Sequence, residues 1–324
     1  AIRDGFEASV LPSIVGSPGD ETPLVLEDEQ LYHQRSYAQE RRLADSLARR
    51  LLPESPTDDP LKLIDQPKEL RASLEKILRL SPYELSPRQQ YGILTAACAP
   101  LSLVTGGPGT GKPSIVRSLV RLLVDQGVDP ERIAIAAPTG KAANRLSESL
   151  QNTLDPDEHS IDRQIAAGLE SASTLHRLLG YSPEWEDFYY HENRPMPYQY
   201  VIVDEASMID LSLMDRLVSA VAEDSSLCLL GDADQLPAVE SGAVFRDLVP
   251  EHECTDVPWG ELARDSLEKQ PPRDPDPMAR QAVRLRENFR VKGEGIGSVN
   301  LVKVAEAINA GGDNLRFVSE HEDD

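Results

Sequence analysis

Four short apolar runs, LSLVT (101–105), RIAIAAP (132–138), YVIVDE (200–205) and SLCLLGD (226–232), constrain this chain more than any other feature. Each is too short for a helix, is apolar at nearly every position and ends on turn-forming or acidic residues. Strands buried on both faces read this way, whereas strands with one wet face alternate. Between the runs lie stretches of helical periodicity, 114–126 and 141–150. The pattern predicts an α/β fold with a parallel sheet covered on both faces. In such sheets ligands bind at the carboxyl ends of the strands, where the chemically distinctive residues of this chain fall.

At 324 residues the chain is long enough for more than one domain. No apolar run approaches the roughly 18 to 20 residues of a membrane span, and no charged-apolar-small signal pattern opens the chain. A soluble, cytoplasmic protein without membrane partners is expected. Cys98, Cys228 and Cys254 lack metal-type spacing and read as reduced structural thiols. The net charge of −22 argues against a nucleic-acid binder, but its distribution weakens that argument. Residues 1–80 carry −4, residues 151–324 carry −20, and residues 81–150 carry +2. An acidic, solubilising surface explains the excess without excluding a local basic groove.

Residues 1–22 are rich in Gly, Pro and acids, and an amphipathic helix is expected over 40–52, where Leu43, Leu47 and Leu51 share a face. LPESPTDDP (52–60) is a break, and a second helical stretch, 61–80, is interrupted by Pro67. A small, mainly helical domain over 1–80 followed by an α/β domain over 81–285 is the expected organisation. The stretch 251–282, with QPPRDPDP, reads as a long polar loop.

Behind the first apolar run stands GGPGTGKPSIV, in which Gly106, four residues, Gly111 and Lys112 meet the phosphate-loop spacing. Glycines let backbone N–H groups turn inward around phosphate oxygens, Lys112 would reach the outer phosphates, and the helix that follows adds its positive end. A glycine-rich turn that binds nothing is the competing reading. Gly106, Gly107, Pro108, Gly109, Thr110, Gly111, Lys112, Pro113 and Ser114 form the candidate cradle.

In YVIVDEASMID, four apolar residues deliver Asp204 and Glu205 to a strand end. One carboxylate there can hold Mg2+ through water and the next can deprotonate an attacking water, although acids after a strand also cap helices. Gln235 follows the run 226–232 closely enough to touch a terminal phosphate, or is simply solvated.

Together GGPGTGK, AAPTGKAANRLSESL, STLHRLLG, VIVDEASMID, LLGDADQLPAVESGAVFRDL and ENFR resemble the helicase motifs of superfamily 1, specifically the RecD family, the alpha subunit of exodeoxyribonuclease V. The opening LYHQRSYAQE is similar to the amino-terminal region that docks on the gamma subunit. The resemblance implies a RecA-like domain, ATP and Mg2+ as cofactors, and 5′ to 3′ movement on single-stranded DNA. It also implies double-stranded ends as substrates, beta and gamma subunits as partners, and a place in double-strand break repair and recombination. Position by position it implies that Gln89 reads adenine, where the plain reading is a helix-start residue, that Lys112 holds phosphate, that Asp204 binds Mg2+ and that Glu205 activates water. Gln235 would couple phosphate state to DNA movement, Arg290 would stabilise transition-state charge, and Pro138, Thr139, Gly140 and Lys141 would touch single-stranded DNA. His176 of STLHRLLG suits packing better than catalysis.

Two departures bear on activity. The later family motifs are missing, so 286–324 is expected to be the start of a truncated second RecA-like domain, and the chain alone is not expected to unwind DNA. Pro113 stands where a phosphate loop has Ser or Thr, removing a metal-ligating hydroxyl and an amide donor. Hydrogen bonds to charged groups contribute about 1.5 to 3 kcal/mol. Proline suits a first helical turn but disfavours a helical Lys112 before it, and the Ser114 hydroxyl is turned about 100° away. A non-catalytic scaffold that binds DNA or a partner, with a disabled ATP site, is the rival reading; APTGKAA disfavours a phosphate-loop NTPase unrelated to DNA.

Overall fold

The computed structural model describes residues 14–51, 67–235, 244–250, 278–279 and 281–289. The chain opens with β1 (Val15–Gly16), β2 (Leu24–Glu27) and β3 (Gln30–His33), a small sheet that the sequence reading did not anticipate, followed by α1 (Gln34–Leu51) and α2 (Pro67–Arg79). Next come α3 (Pro87–Cys98), β4 (Leu101–Gly106), α4 (Lys112–Asp125), β5 (Ile133–Ala137) and α5 (Gly140–Gln151). Then follow α6 (Ser160–Gly168), β6 (Ser173–Thr174), α7 (Leu175–Leu178) and the hairpin β7 (Tyr181–Ser182) and β8 (Asp187–Phe188). The described chain closes with β9 (Tyr200–Val203), α8 (Leu211–Ala220), β10 (Ser226–Gly231), α9 (Val244–Leu248) and β11 (Ala282–Leu285).

β11, β4, β10, β9, β5 and β6 lie side by side in that order, all parallel. Leu229 of β10 stands opposite Leu103 of β4 and Val203 of β9, so the strands behind the three motif loops are immediate neighbours. Side chains alternate between two cores, as strand geometry requires. Val104, Ile135, Ile202 and Leu230 pack on one face with Ile115 and Leu119 of α4. Leu103, Ala134, Val203 and Leu229 pack on the other with Met214 and Leu217 of α8. Both faces are dry, which explains why these strands are apolar throughout.

The amino-terminal helices join these layers. Leu43 and Leu47 of α1 belong to the core beside α8, and Leu70, Leu74 and Ile77 of α2 pack with α4. Arg42 pairs with buried Asp215 at 2.7 Å, and Arg50 donates to the Ser225 and Ala222 carbonyls at 3.0 and 3.1 Å. α1 starts six residues earlier than its apolar periodicity suggests, because the mostly polar Gln34–Gln39 extends the helix. Pro67 begins α2, as a residue without an N–H can at a helix start. β11 forms at the end of the stretch expected to be a loop, held by pairing with β4. Cys98 and Cys228 are buried free thiols, pushed up to about 12 by burial, while Cys254 lies outside the described residues. Among the described residues no helix is long and apolar enough to cross a membrane.

Candidate functional site

The loop after β4 folds around glycine geometry. Gly111, with φ of 83°, is the cap from which α4 starts, a left-handed conformation that side chains disfavour. Pro113 fits the first turn of α4. Lys112 is nevertheless the first helical residue, so the restriction proline places on its predecessor is overcome, with the left-handed Gly111 setting the entry angle. The Ser114 N–H donates to the Gly111 carbonyl at 2.9 Å. The loop thus lacks one amide at Pro113 and uses the next internally. The buried Lys112 ammonium donates to the Gly106 carbonyl, and Thr110 Oγ1 donates to the Gly107 carbonyl at 2.8 Å.

Gln89, expected at a base edge, is largely buried at the cleft and makes two side-chain hydrogen bonds. Its Oε1 accepts from the Ser86 N–H at 2.8 Å within a capping box of α3, and its Nε2 donates to the Thr110 carbonyl at 3.0 Å. The loop is held from the far side by Asn288, whose amide donates to the Pro108 carbonyl, and by the Phe289 N–H, which donates to the Gly109 carbonyl at 2.9 Å.

At the end of β9, Asp204 is buried, and burial raises its pKa; one oxygen accepts from the Glu205 N–H at 2.9 Å, and Lys112 and Arg145 pull the other way. Glu205 has φ of 55°, a strained conformation for a residue with a side chain, of the kind found at functional sites. At the end of β10, Ala233 N–H donates to Thr105 Oγ1 at 2.9 Å, tying this loop to β4. Gln235 is exposed and its Oε1 accepts from Ser207 Oγ at 3.4 Å.

These loops surround a cleft of about 910 Å³, lined by Tyr83, Glu84, Leu85, Gln89, residues 107–114, Ala142, Arg145, Leu146, Ser149, Asp204, Glu205, Asp232, Gln235 and Phe289. Its volume is that of a small-molecule or cofactor site. Four carboxylates, from Glu84, Asp204, Glu205 and Asp232, face two cations, from Lys112 and Arg145. An anionic ligand therefore fits here best together with a divalent cation. Asp204 suits such a cation through its second oxygen, whereas Pro113 offers it nothing; among the described residues no cluster of three or more ligating side chains encloses a metal. A magnesium ion needs no such cluster, since it commonly takes one or two carboxylates, water and substrate phosphates.

A protein family described as an AAA domain matches residues 89–241, which span the loop, both strand ends and Gln235. The RecBCD enzyme subunit RecD of Mycolicibacterium smegmatis is 47% identical over 154 residues, covering 46% of this chain and 27% of that protein. The ATP-dependent RecD2 DNA helicase of Deinococcus radiodurans is 39% identical over 142 residues, covering 44% of this chain and 17% of that one. Over this segment the chain is similar to RecD subunits and to a RecD2 helicase. It spans between about a quarter and somewhat over a third of the length of the RecD subunits it matches, from 26% to 37%. A Pif1 helicase from Candida albicans is a structural neighbour with a TM-score of 0.39 and 20% identity, covering 70% of this chain and 44% of that one.

The motif residues of the chain fall into three groups. Gln89, Gly107, Pro108, Gly109, Thr110, Gly111, Lys112, Pro113, Ser114, Asp204, Glu205 and Gln235 line one cleft, with Gly106 at the end of β4 beneath them. Pro138, Thr139, Gly140 and Lys141 lie three strands away after β5, where Thr139 Oγ1 caps α5 by accepting from Ala142 N–H at 3.3 Å. Arg290 lies outside the described residues, directly after Phe289. His176 meets Tyr181 edge to face and lies tilted against Phe188, their ring centroids 5.6 and 5.8 Å away, in keeping with a packing role. Arg145, Asp232 and Phe289 escaped the sequence reading. Asp232 carried a usable signal, an acid ending an apolar run as Asp204 does; Arg145 carried none, because only the tertiary packing of α5 turns it to the cleft.

Proposed function

We propose that this chain is part of an ATP-dependent DNA helicase subunit moving 5′ to 3′ on single-stranded DNA, within an exodeoxyribonuclease V complex. In that reading it works with beta and gamma subunits on double-stranded ends in break repair and recombination. The observation that carries it is the convergence of the phosphate loop, Asp204, Glu205 and Gln235 on one cleft at the carboxyl ends of adjacent parallel strands. Residues 81–285 are the ATP-binding unit, 1–80 the partner-docking region and 286–324 the start of a second RecA-like domain.

In this mechanism the loop glycines and Lys112 hold the phosphate chain. Asp204 would hold Mg2+, which when bound would draw charge from phosphate oxygens. Glu205 takes a proton from the water attacking the terminal phosphorus, and ADP leaves with the electrons of the broken P–O bond. Gln235 contacts the terminal phosphate, Arg290 adds charge in the transition state, and the 138–141 turn grips the DNA backbone. Full-length protein should hydrolyse ATP faster with single-stranded DNA present, and Lys112→Ala and Glu205→Gln should each abolish that activity. Turnover indifferent to DNA overturns the reading.

Pro113 favours a second reading, a scaffold subunit that binds DNA or a partner with its ATP site disabled. Nucleotide titrated with and without Mg2+ separates the two: equal affinity supports the scaffold. Pro113→Thr should raise turnover at least several-fold if the missing hydroxyl and amide limit the site.

A further inference from the structure

α5 carries an arginine that the proposed mechanism leaves unused. Ala142, Arg145, Leu146 and Ser149 share the helix face that lines the cleft, while Ala143, Leu146 and Leu150 anchor the helix in the core. The base of the Arg145 side chain is thus fixed by packing, and its guanidinium is exposed. Among the described residues it makes no hydrogen bond or ion pair, although its charge reaches Asp204. The other cation of the cleft, Lys112, has the Gly106 carbonyl as an acceptor and is followed by a proline that supplies no amide.

We propose that Arg145 binds the outer phosphates of the nucleotide, supplying from α5 N–H donors in place of the amide that the phosphate loop lacks at Pro113. The proposal rests on the nucleotide-site reading above. Three features support it: the side chain faces the cleft, it stands on the Asp204 side, and four carboxylates there leave a polyphosphate short of cationic partners. A guanidinium also offers two parallel N–H donors to a phosphate, which an ammonium does not. Because Arg145 is exposed and makes no hydrogen bond or ion pair among the described residues, replacing it should leave the fold intact.

The test titrates ATP and ADP against full-length protein carrying Arg145, Arg145→Ala or Arg145→Lys, in the parent and in an Asp204→Asn background. Arg145→Ala should weaken ATP binding at least five-fold and ADP binding less, Arg145→Lys should recover part of the loss, and the loss should persist in the Asp204→Asn background. ATP affinity within two-fold of the parent overturns the proposal while leaving the nucleotide-site reading standing. A loss confined to protein that keeps Asp204 also overturns it, because Arg145 then acts only by screening that carboxylate. Failure of the unsubstituted protein to bind either nucleotide overturns the site reading itself, and the proposal with it.

Discussion

The side-chain amide of Gln89 donates to the Thr110 carbonyl at 3.0 Å while its oxygen accepts from the Ser86 N–H at 2.8 Å, joining the first turn of α3 to the phosphate loop. Gln89→Ala removes both bonds and should cost about 1 to 2 kcal/mol in denaturant unfolding. Gln89→Glu keeps the acceptor but sets a carboxylate against a carbonyl. Its nucleotide affinity should fall further than that of the alanine variant. Equal affinities in the two variants would show that the loop does not depend on this tie.

Arg121 of α4 and Asp162 of α6 form a bidentate pair, 2.7 and 2.6 Å, with exposures of 1% and 0%. Arg121 also donates to the Leu80 and Thr153 carbonyls, and Asp162 accepts from the Asp155 N–H. The pair thereby fixes the segment before α3 and the end of α5 against the helix that follows the phosphate loop. Removing one partner strands a buried charge and should cost about 3 to 5 kcal/mol. Arg121→Met with Asp162→Leu should cost less than the sum of the single changes. Strict additivity in thermal unfolding would contradict this.

What the sequence made legible, and what it hid, divides along the range of the interactions. The central strands were readable because burial on both faces makes each one apolar by itself, as with Leu227–Leu230. β11 was not, because AVRL carries Arg284 and becomes a strand only by pairing with β4. The loop, Asp204 and Glu205 announced themselves through local spacing. Arg145 did not, because its place at the cleft depends on which face of α5 the core buries, and the tie from Gln89 to Ser86 and Thr110 is a tertiary contact that local spacing does not encode.

Burial raises the pKa of Asp204, so its ionised form is a cost to the folded state. For a carboxyl raised in this way the folded protein binds its proton first. Stability conferred by protonation therefore rises as pH falls through the folded pKa and levels off below the ordinary carboxylate value. Asp204→Asn should melt at a higher temperature than the parent at neutral pH, and the gain should shrink toward acid pH. It should lose ATP hydrolysis throughout. A neutral-pH melting temperature below that of the parent would mean that the carboxylate stabilises the fold through its charges with Lys112 and Arg145.

Gly111 tests whether the loop depends on backbone freedom or on room for Gln89. At φ of 83° a side chain is strained, and a Cβ there would stand 2.4 Å from Gln89 Nε2. That nitrogen cannot yield freely, since the same amide is held by Ser86 and Thr110. Gly111→Ala should therefore cost about 1 to 2 kcal/mol for conformation alone, plus the displacement of Gln89. The two parts separate in a cycle with Gln89→Ala. The double variant should lose less stability than the sum of the singles, since the clash has gone, while its nucleotide affinity stays low because the left-handed cap is still strained. Full recovery of affinity in the double variant would assign the whole effect to crowding.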